Sequence, residues 1–164
     1  MNEKEIAEIL GSYKSFILTD GSTSGVLSML YAVKELGAKT LAFSEGAHKS
    51  VYNGCKLLGL TPLLYPTKMR GNIPYKAPMY EMTKEFAPIF EGADVIFLTS
   101  PDYYGNVEDL QGWRSYCDQR GKFLLIDGAH GGHLHFHKDI YAGSVADLWV
   151  DGVHKSLPAF TQGA

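Results

Sequence analysis

The chain has 164 residues, 45% hydrophobic and 20% charged, enough for one compact body that buries roughly 70% of its unfolded surface. A formal net charge of −3 leaves no basic footprint and points away from nucleic acid as a partner. No apolar run approaches the ~18–20 residues that span a bilayer, the opening Met1-Asn2-Glu3-Lys4-Glu5 is too charged for a signal peptide, and Cys55 and Cys117 stand alone; a reduced, cytoplasmic protein without membrane contact is expected.

Helical and extended patterns alternate along the chain. A short amphipathic helix is predicted over residues 3–10, cut by Gly11. A first strand is predicted over 16–19, followed by a helix with Val26, Met29, Leu30, Val33 and Leu36 on one face and Gly37 at its end. Further strands are expected at 40–43, 62–65, 95–99, 123–127 and 147–150, and further helices at 50–58, 80–90 and 109–120. Residues 66–78 contain both Pro and Gly and read as a long loop. The strands are continuous apolar runs, the pattern of a parallel sheet covered on both faces. The expected fold class is α/β, a mostly parallel, doubly wound sheet with helices on both faces, in one domain over residues 1–164.

The chemistry concentrates at strand ends. Asp127 closes the run Phe123-Leu124-Leu125-Ile126, and Lys155, preceded by His154, follows Leu148-Trp149-Val150. Both are thereby delivered to one edge of the sheet, where open α/β sheets hold their ligands. An amine able to form a Schiff base and a carboxylate able to pair with a pyridinium nitrogen are the minimum equipment for pyridoxal phosphate. Taken singly, each reads as a solvated surface charge. Gly21-Ser22-Thr23-Ser24-Gly25 lies between a strand and a helix start, a cradle for a phosphate dianion, although Ser and Thr also cap ordinary helices. A rival constellation is the group His130, His133, His135 and His137. If extended, the last three would share one face, with Asp139 as a further ligand, and the chain would be a metal-binding module or metal-dependent hydrolase. No Cys or Glu stands beside them. A solvated His-rich turn is the stronger expectation, with no stoichiometric metal.

Five motifs then follow in order: Thr19-Asp20-Gly21-Ser22-Thr23-Ser24-Gly25, Ala47-His48-Lys49-Ser50, Thr99-Ser100-Pro101-Asp102-Tyr103-Tyr104-Gly105, Asp127-Gly128-Ala129-His130-Gly131, and the closing His154-Lys155-Ser156-Leu157-Pro158-Ala159-Phe160-Thr161-Gln162. This succession resembles the bacterial Orn/Lys/Arg decarboxylases, a branch of the aspartate-aminotransferase (fold type I) superfamily, over about residues 3–164. The aspartate and lysine motifs are shared across the superfamily; the Thr-Ser-Pro and Leu-Pro-Ala runs are more specific to the family.

The resemblance implies a pyridoxal-phosphate-dependent decarboxylase of a basic amino acid (arginine, lysine or ornithine) in amino-acid and polyamine metabolism. Other fold type I activities, aminotransferase or C–S lyase, are the alternative. It implies Lys155 as the Schiff-base residue, Asp127 as partner of the pyridine nitrogen, His48 stacked on one ring face and Ala129 packed on the other. Ser22, Thr23 and Ser24 match the phosphate cradle, with His154 close by, and His130 belongs to the cofactor-binding Asp-Gly-Ala-His frame. A homo-oligomer, dimer or higher, is implied, with active sites between two subunits. Three positions depart from the family pattern: Gly152 stands where a serine is usual, Gly128 where an acidic residue is frequent, and Asp20 where an asparagine is usual. By resemblance, more chain precedes residue 1, and a strand and a C-terminal domain follow the lysine. The sheet is therefore expected to have a gap or exposed edge beside the lysine. The 164 residues alone are expected not to decarboxylate at an enzyme-like rate.

Overall fold

The computed structural model describes residues 2–159 and 163–164, so Phe160, Thr161 and Gln162 of the closing motif lie outside the described residues. Its strands are β1 (Thr40–Ser44), β2 (Thr61–Tyr65), the short pair β3 (Met69–Arg70) and β4 (Ile73–Pro74), β5 (Val95–Thr99), β6 (Phe123–Gly128) and β7 (Leu148–Asp151). Its helices are α1 (Glu3–Leu10), α2 (Ser22–Glu35), α3 (Lys49–Leu58), α4 (Met79–Glu85), α5 (Ala87–Gly92), α6 (Leu110–Arg120) and α7 (Val153–Ser156).

Because successive side chains on a strand point to opposite faces, the apolar runs supply two cores at once. Val95 and Phe97 of β5 face one way, and Ile96 and Leu98 the other. The first face is covered by α2 and α3 through Val26, Leu30, Val33 and Val51. The second is covered by α4, α5 and α6 through Met82, Phe90, Leu110 and Trp113. Between them lies a parallel sheet in the order β2-β1-β5-β6-β7. The fold is the expected doubly wound α/β layer structure. Among the described residues no helix is long and apolar enough to cross a membrane.

Local chemistry sets the helix limits. Asn2 and Glu5 form a reciprocal capping box at the start of α1. The Asp109 carboxylate accepts from the Gly112 amide at 3.0 Å to start α6, and Gly121, left-handed at φ 61, ends it.

Three expectations need correction. Residues 16–19 are not a strand of the sheet. Leu18 exchanges two backbone hydrogen bonds with Ala164, at 2.6 and 3.1 Å, while Phe16 and Ile17 are exposed. The apolar run is there, but a strand needs a ladder of partners, and among the described residues only this two-residue bridge forms. Residues 66–78 are not a structureless loop, because β3 and β4 pair as an antiparallel hairpin. Its base is pinned by the ion pair Lys76–Glu108 at 2.8 Å, largely buried on both sides. The helix expected over 80–90 is broken at Phe86 into α4 and α5. Pro88 has no N–H, and its ring would clash with the preceding turn of a continuous helix.

Trp113 is the hub of the second core. It is 1% exposed, its ring centroid lies 5.0 Å from Phe90 and 5.9 Å from Tyr116, and its indole N–H donates to Glu108. Trp113→Ala should therefore cost about 3–5 kcal/mol. Urea unfolding followed by circular dichroism measures this, and a loss under 1 kcal/mol would mean that the core does not rest on this ring.

Candidate active site

Each sequence-predicted site residue sits at the carboxyl edge of the sheet or at the α2 start facing it. Asp127 is the penultimate residue of β6 and is only 5% exposed. Its Oδ1 accepts the Ala129 amide at 3.1 Å. Burial raises its pKa above the ordinary carboxylate value. The Ala129 N–H and then the positive charges of Lys155, His48 and His130 oppose that rise.

His130 is half-buried two residues beyond β6, with the Tyr103 ring edge-on at 6.0 Å. Burial lowers its pKa first and the Lys155 charge adds to this, against the pull of Asp127 and Asp102. Asp127 near the end of β6, His130 beyond it, His48 after β1 and Lys155 after β7 thus come from three strand ends, and Asp127 and His130 each respond to the other three groups.

His48 is the N-cap of α3. Its Nδ1 accepts from the Ser50 amide at 3.3 Å and meets the Ser50 hydroxyl at 2.9 Å, while the residue stays exposed. Lys155 is exposed on the four-residue helix α7. His154, beside it, donates from Nδ1 to the Gly163 carbonyl at 2.9 Å.

Helix α2 begins over β7. Gly25 is buried there, and a Cβ at that position would stand 2.5 Å from the Val150 side chain and 3.0 Å from that of Leu18. Only glycine lets the helix start come this close to the strand that leads to the lysine. The helix is 14 residues long and opens at Gly21 with no side-chain cap among the described residues; the Ser24 amide donates to the Gly21 carbonyl at 3.3 Å, and the amides of Ser22 and Thr23 before it are the ones an anion would meet. The Ser24 hydroxyl turns back to the Gly21 carbonyl at 2.9 Å, Ser22 is half-buried, and Thr23 and Asp20 are exposed.

The structure accounts for one departure from the family pattern. Gly152 is buried with its Cα against the Ala129 carbonyl, and a Cβ there would overlap that oxygen. A serine at this position has no room unless β7 or the Ala129 backbone moves.

The extended segment that the metal alternative assumed is not formed. Residues Gly132–Phe136 form a 3-10 helix rather than an extended segment, so alternation at period two does not place His133, His135 and His137 on one face. His135 bonds the Gly132 carbonyl at 3.0 Å and stacks on Phe136. Among the described residues no group of three or more His, Cys, Asp or Glu is placed to share an ion.

Sequence reasoning missed Asp151, the last residue of β7. Its Oδ2 accepts the Tyr141 hydroxyl at 2.6 Å and the Trp149 indole N–H at 3.1 Å. The signal was an acid ending an apolar strand four residues before the lysine, but the donors come from residues that only the fold brings together.

A family model, "Orn/Lys/Arg decarboxylase, major domain", matches residues 1–164. The protein YaaO of Bacillus subtilis is 31% identical over 163 residues, covering 96% of this chain and 34% of its own length. An arginine decarboxylase of Halalkalibacterium halodurans is 24% identical over 162 residues, covering 96% and 33%. The chain spans about a third of the length of these curated relatives. The crystal structure of mouse CSAD superposes with a TM-score of 0.73 at 21% identity, over 98% of this chain and 38% of that one; at that identity the likeness concerns the fold.

Two measurements probe this geometry. Gly152→Ser should destabilise the chain by about 1–3 kcal/mol by overpacking, read as a fall in Tm; an unchanged Tm would mean that the β6–β7 edge is looser than described. Because the fold prefers neutral His130, the stability it lends is present above the ordinary histidine range, about 6.5. That stability is lost as pH falls through this range toward the lowered value. An NMR titration should show His130 titrating below the same residue in urea-unfolded chain.

Proposed function

The chain belongs to the Orn/Lys/Arg decarboxylase family, and from that premise we propose that residues 1–164 are the cofactor-binding core, one structural unit, of a pyridoxal-phosphate-dependent decarboxylase of a basic amino acid. The observation that carries this reading is the convergence of Asp127, Lys155, His48 and His130, whose charges act on one another, at the edge toward which the uncapped start of α2 opens.

The residues suit the group. Asp127 is a buried carboxylate with one oxygen bound to the Ala129 amide, so its charge is held in one direction and would keep a proton on a ring nitrogen facing it. The amides at the start of α2, with the Ser22 and Thr23 hydroxyls, would take the phosphate. The Ser24 hydroxyl, turned to the Gly21 carbonyl, shapes that turn. Ala129 is small and buried and would leave room on one side of the ring, and His48, fixed as the α3 cap, would offer its imidazole to the other. His154, with Nδ1 held by Gly163, would point Nε2 toward the phosphate end. Lys155 would bind the cofactor covalently through its amine. When bound, pyridoxal phosphate supplies the ring that accepts the electron pair left by the departing carboxylate.

The substrate class proposed is arginine, lysine or ornithine, supported by the family and by the relative named an arginine decarboxylase. A polyamine-forming role, a homo-oligomer and a cytoplasmic setting belong to the same proposal.

Mixing the chain with pyridoxal phosphate and reducing with borohydride should fix one label on Lys155 by peptide mapping. Lys155→Ala should abolish it with the fold intact, and Asp127→Asn should keep the label while weakening cofactor retention. Label on Lys49 or Lys122 instead, or label that survives Lys155→Ala, would falsify the assignment.

A further inference from the structure

We propose that Asp151 is a positioning residue for this cofactor site, a second carboxylate set behind Asp127 that strengthens its hold on a protonated ring nitrogen. The inference rests on the cofactor reading above, but its observations are separate. In the register of β6 and β7, Asp127 pairs with Val150 and Gly128 with Asp151. Side chains alternate faces along a strand, so Asp151 lies one step along and on the opposite face from Asp127. It cannot touch the cofactor side of the sheet. Its charge reaches Asp127 through the strand.

Three features set this carboxyl apart from a group that serves only as a hydrogen-bond acceptor. Tyr141 and Trp149 both donate to Oδ2, an arrangement that the carbonyl oxygen of an asparagine would accept equally well. Among the described residues Oδ1 is buried with no hydrogen-bond partner and faces the Cα of Gly128, 3.0 Å from where a Cβ would stand. Burial disfavours ionisation of this carboxylate first; the Tyr141 and Trp149 donors and then His135 favour it, and Asp127, a second buried carboxylate, disfavours it. A buried carboxylate with one unmet oxygen beside a like charge destabilises the folded chain. Retaining it at the edge of a site points to a role other than stability.

The electrostatics supply that role. Two neighbouring negative charges deepen the potential at the nitrogen that Asp127 would face. A cation placed there also relieves the repulsion between the carboxylates, so cofactor binding and ionised Asp151 favour each other reciprocally. Gly128 fits this arrangement, since any side chain there would meet the Asp151 carboxylate and the Val150 carbonyl, 3.1 Å away. A carboxylate on the neighbouring strand thus stands beside the position that in the family often carries an acid.

The test sets stability against binding. Asp151→Asn keeps the acceptor for Tyr141 and Trp149 and removes the charge. At pH 8 the cofactor-free variant should melt at the same or a higher temperature than the parent. Its pyridoxal phosphate dissociation constant should rise on the order of tenfold, and its bound cofactor should show less of the protonated-ring absorbance. Burial and Asp127 raise the Asp151 pKa, so the penalty of its charge is absent in acid and grows as pH rises through the ordinary carboxylate range. The gain in melting temperature should shrink accordingly as pH is lowered. Tyr141→Phe, which removes one donor and leaves the charge, should lower the melting temperature and change the dissociation constant less than Asp151→Asn does. An unchanged dissociation constant in Asp151→Asn, or a parallel loss of melting temperature and binding, overturns the proposal and leaves Asp151 a structural clamp. If the parent chain takes no label on Lys155, the cofactor reading itself fails, and that is seen without any Asp151 variant.

Discussion

A carboxylate taken out of water must find donors or positive charge, and Asp127 finds both at the end of β6. The Ala129 amide holds one oxygen, and the Lys155 ammonium leads the opposing charge. The rest of the candidate site is organised by that need. Burial alone would neutralise the group; the amide and the lysine favour the ionised form, the form a cationic ring nitrogen requires. Asp127 and Lys155 also act on the neighbouring His130, so a ligand that cancels one charge changes the balance for the others.

That arrangement depends on how closely β6, β7 and α2 approach. Two glycines at unexceptional backbone angles make the approach possible through the absence of a Cβ. Gly25 lets the start of α2 rest on Val150, and Gly152 lets the end of β7 abut the Ala129 carbonyl. Since α7 has only four residues and no side-chain cap, it is too short to hold itself in place. The position of Lys155 is inherited from the strand before it. The Asp151–Tyr141–Trp149 cluster and the Gly152 contact anchor that strand end from opposite directions.

The departures from the family pattern take on physical content in this setting. A serine at 152 would need space that the Ala129 carbonyl occupies, and an acid at 128 would meet the Asp151 carboxylate. In the proposed reading, a phosphate would therefore be left to the start of α2. Within the His-rich segment, Gly132–Phe136 is a tight 3-10 turn against α7, with the half-buried His135 facing the Asp151 cluster.

Much of this was legible in the sequence because it depends on local order. Continuous apolar runs such as 95–99 and 123–127 define buried parallel strands through side-chain period alone, Gly11 and Gly121 mark helix ends through φ, and the motif order places an acid, an amine and a hydroxyl-rich turn at strand ends. Partnership was not legible. Residues 16–19 have the composition of a strand, but among the described residues their backbone-to-backbone pairing is with Ala164 alone, because a strand exists only where another chain segment offers its hydrogen bonds. Period two at His133, His135 and His137 suggested one face until the backbone proved to be a 3-10 turn. Asp151 looked like any acid after an apolar run: Trp149 shares its strand face two residues away, but Tyr141, 10 residues away, meets it only when the turn before β7 folds back. The sequence by itself determined which residues lie at the sheet edge, because strand ends are set by short-range pattern. Tertiary structure alone decided which of them are buried, which sense each other's charge and where no side chain fits, because those properties depend on distances between segments that the chain does not join directly.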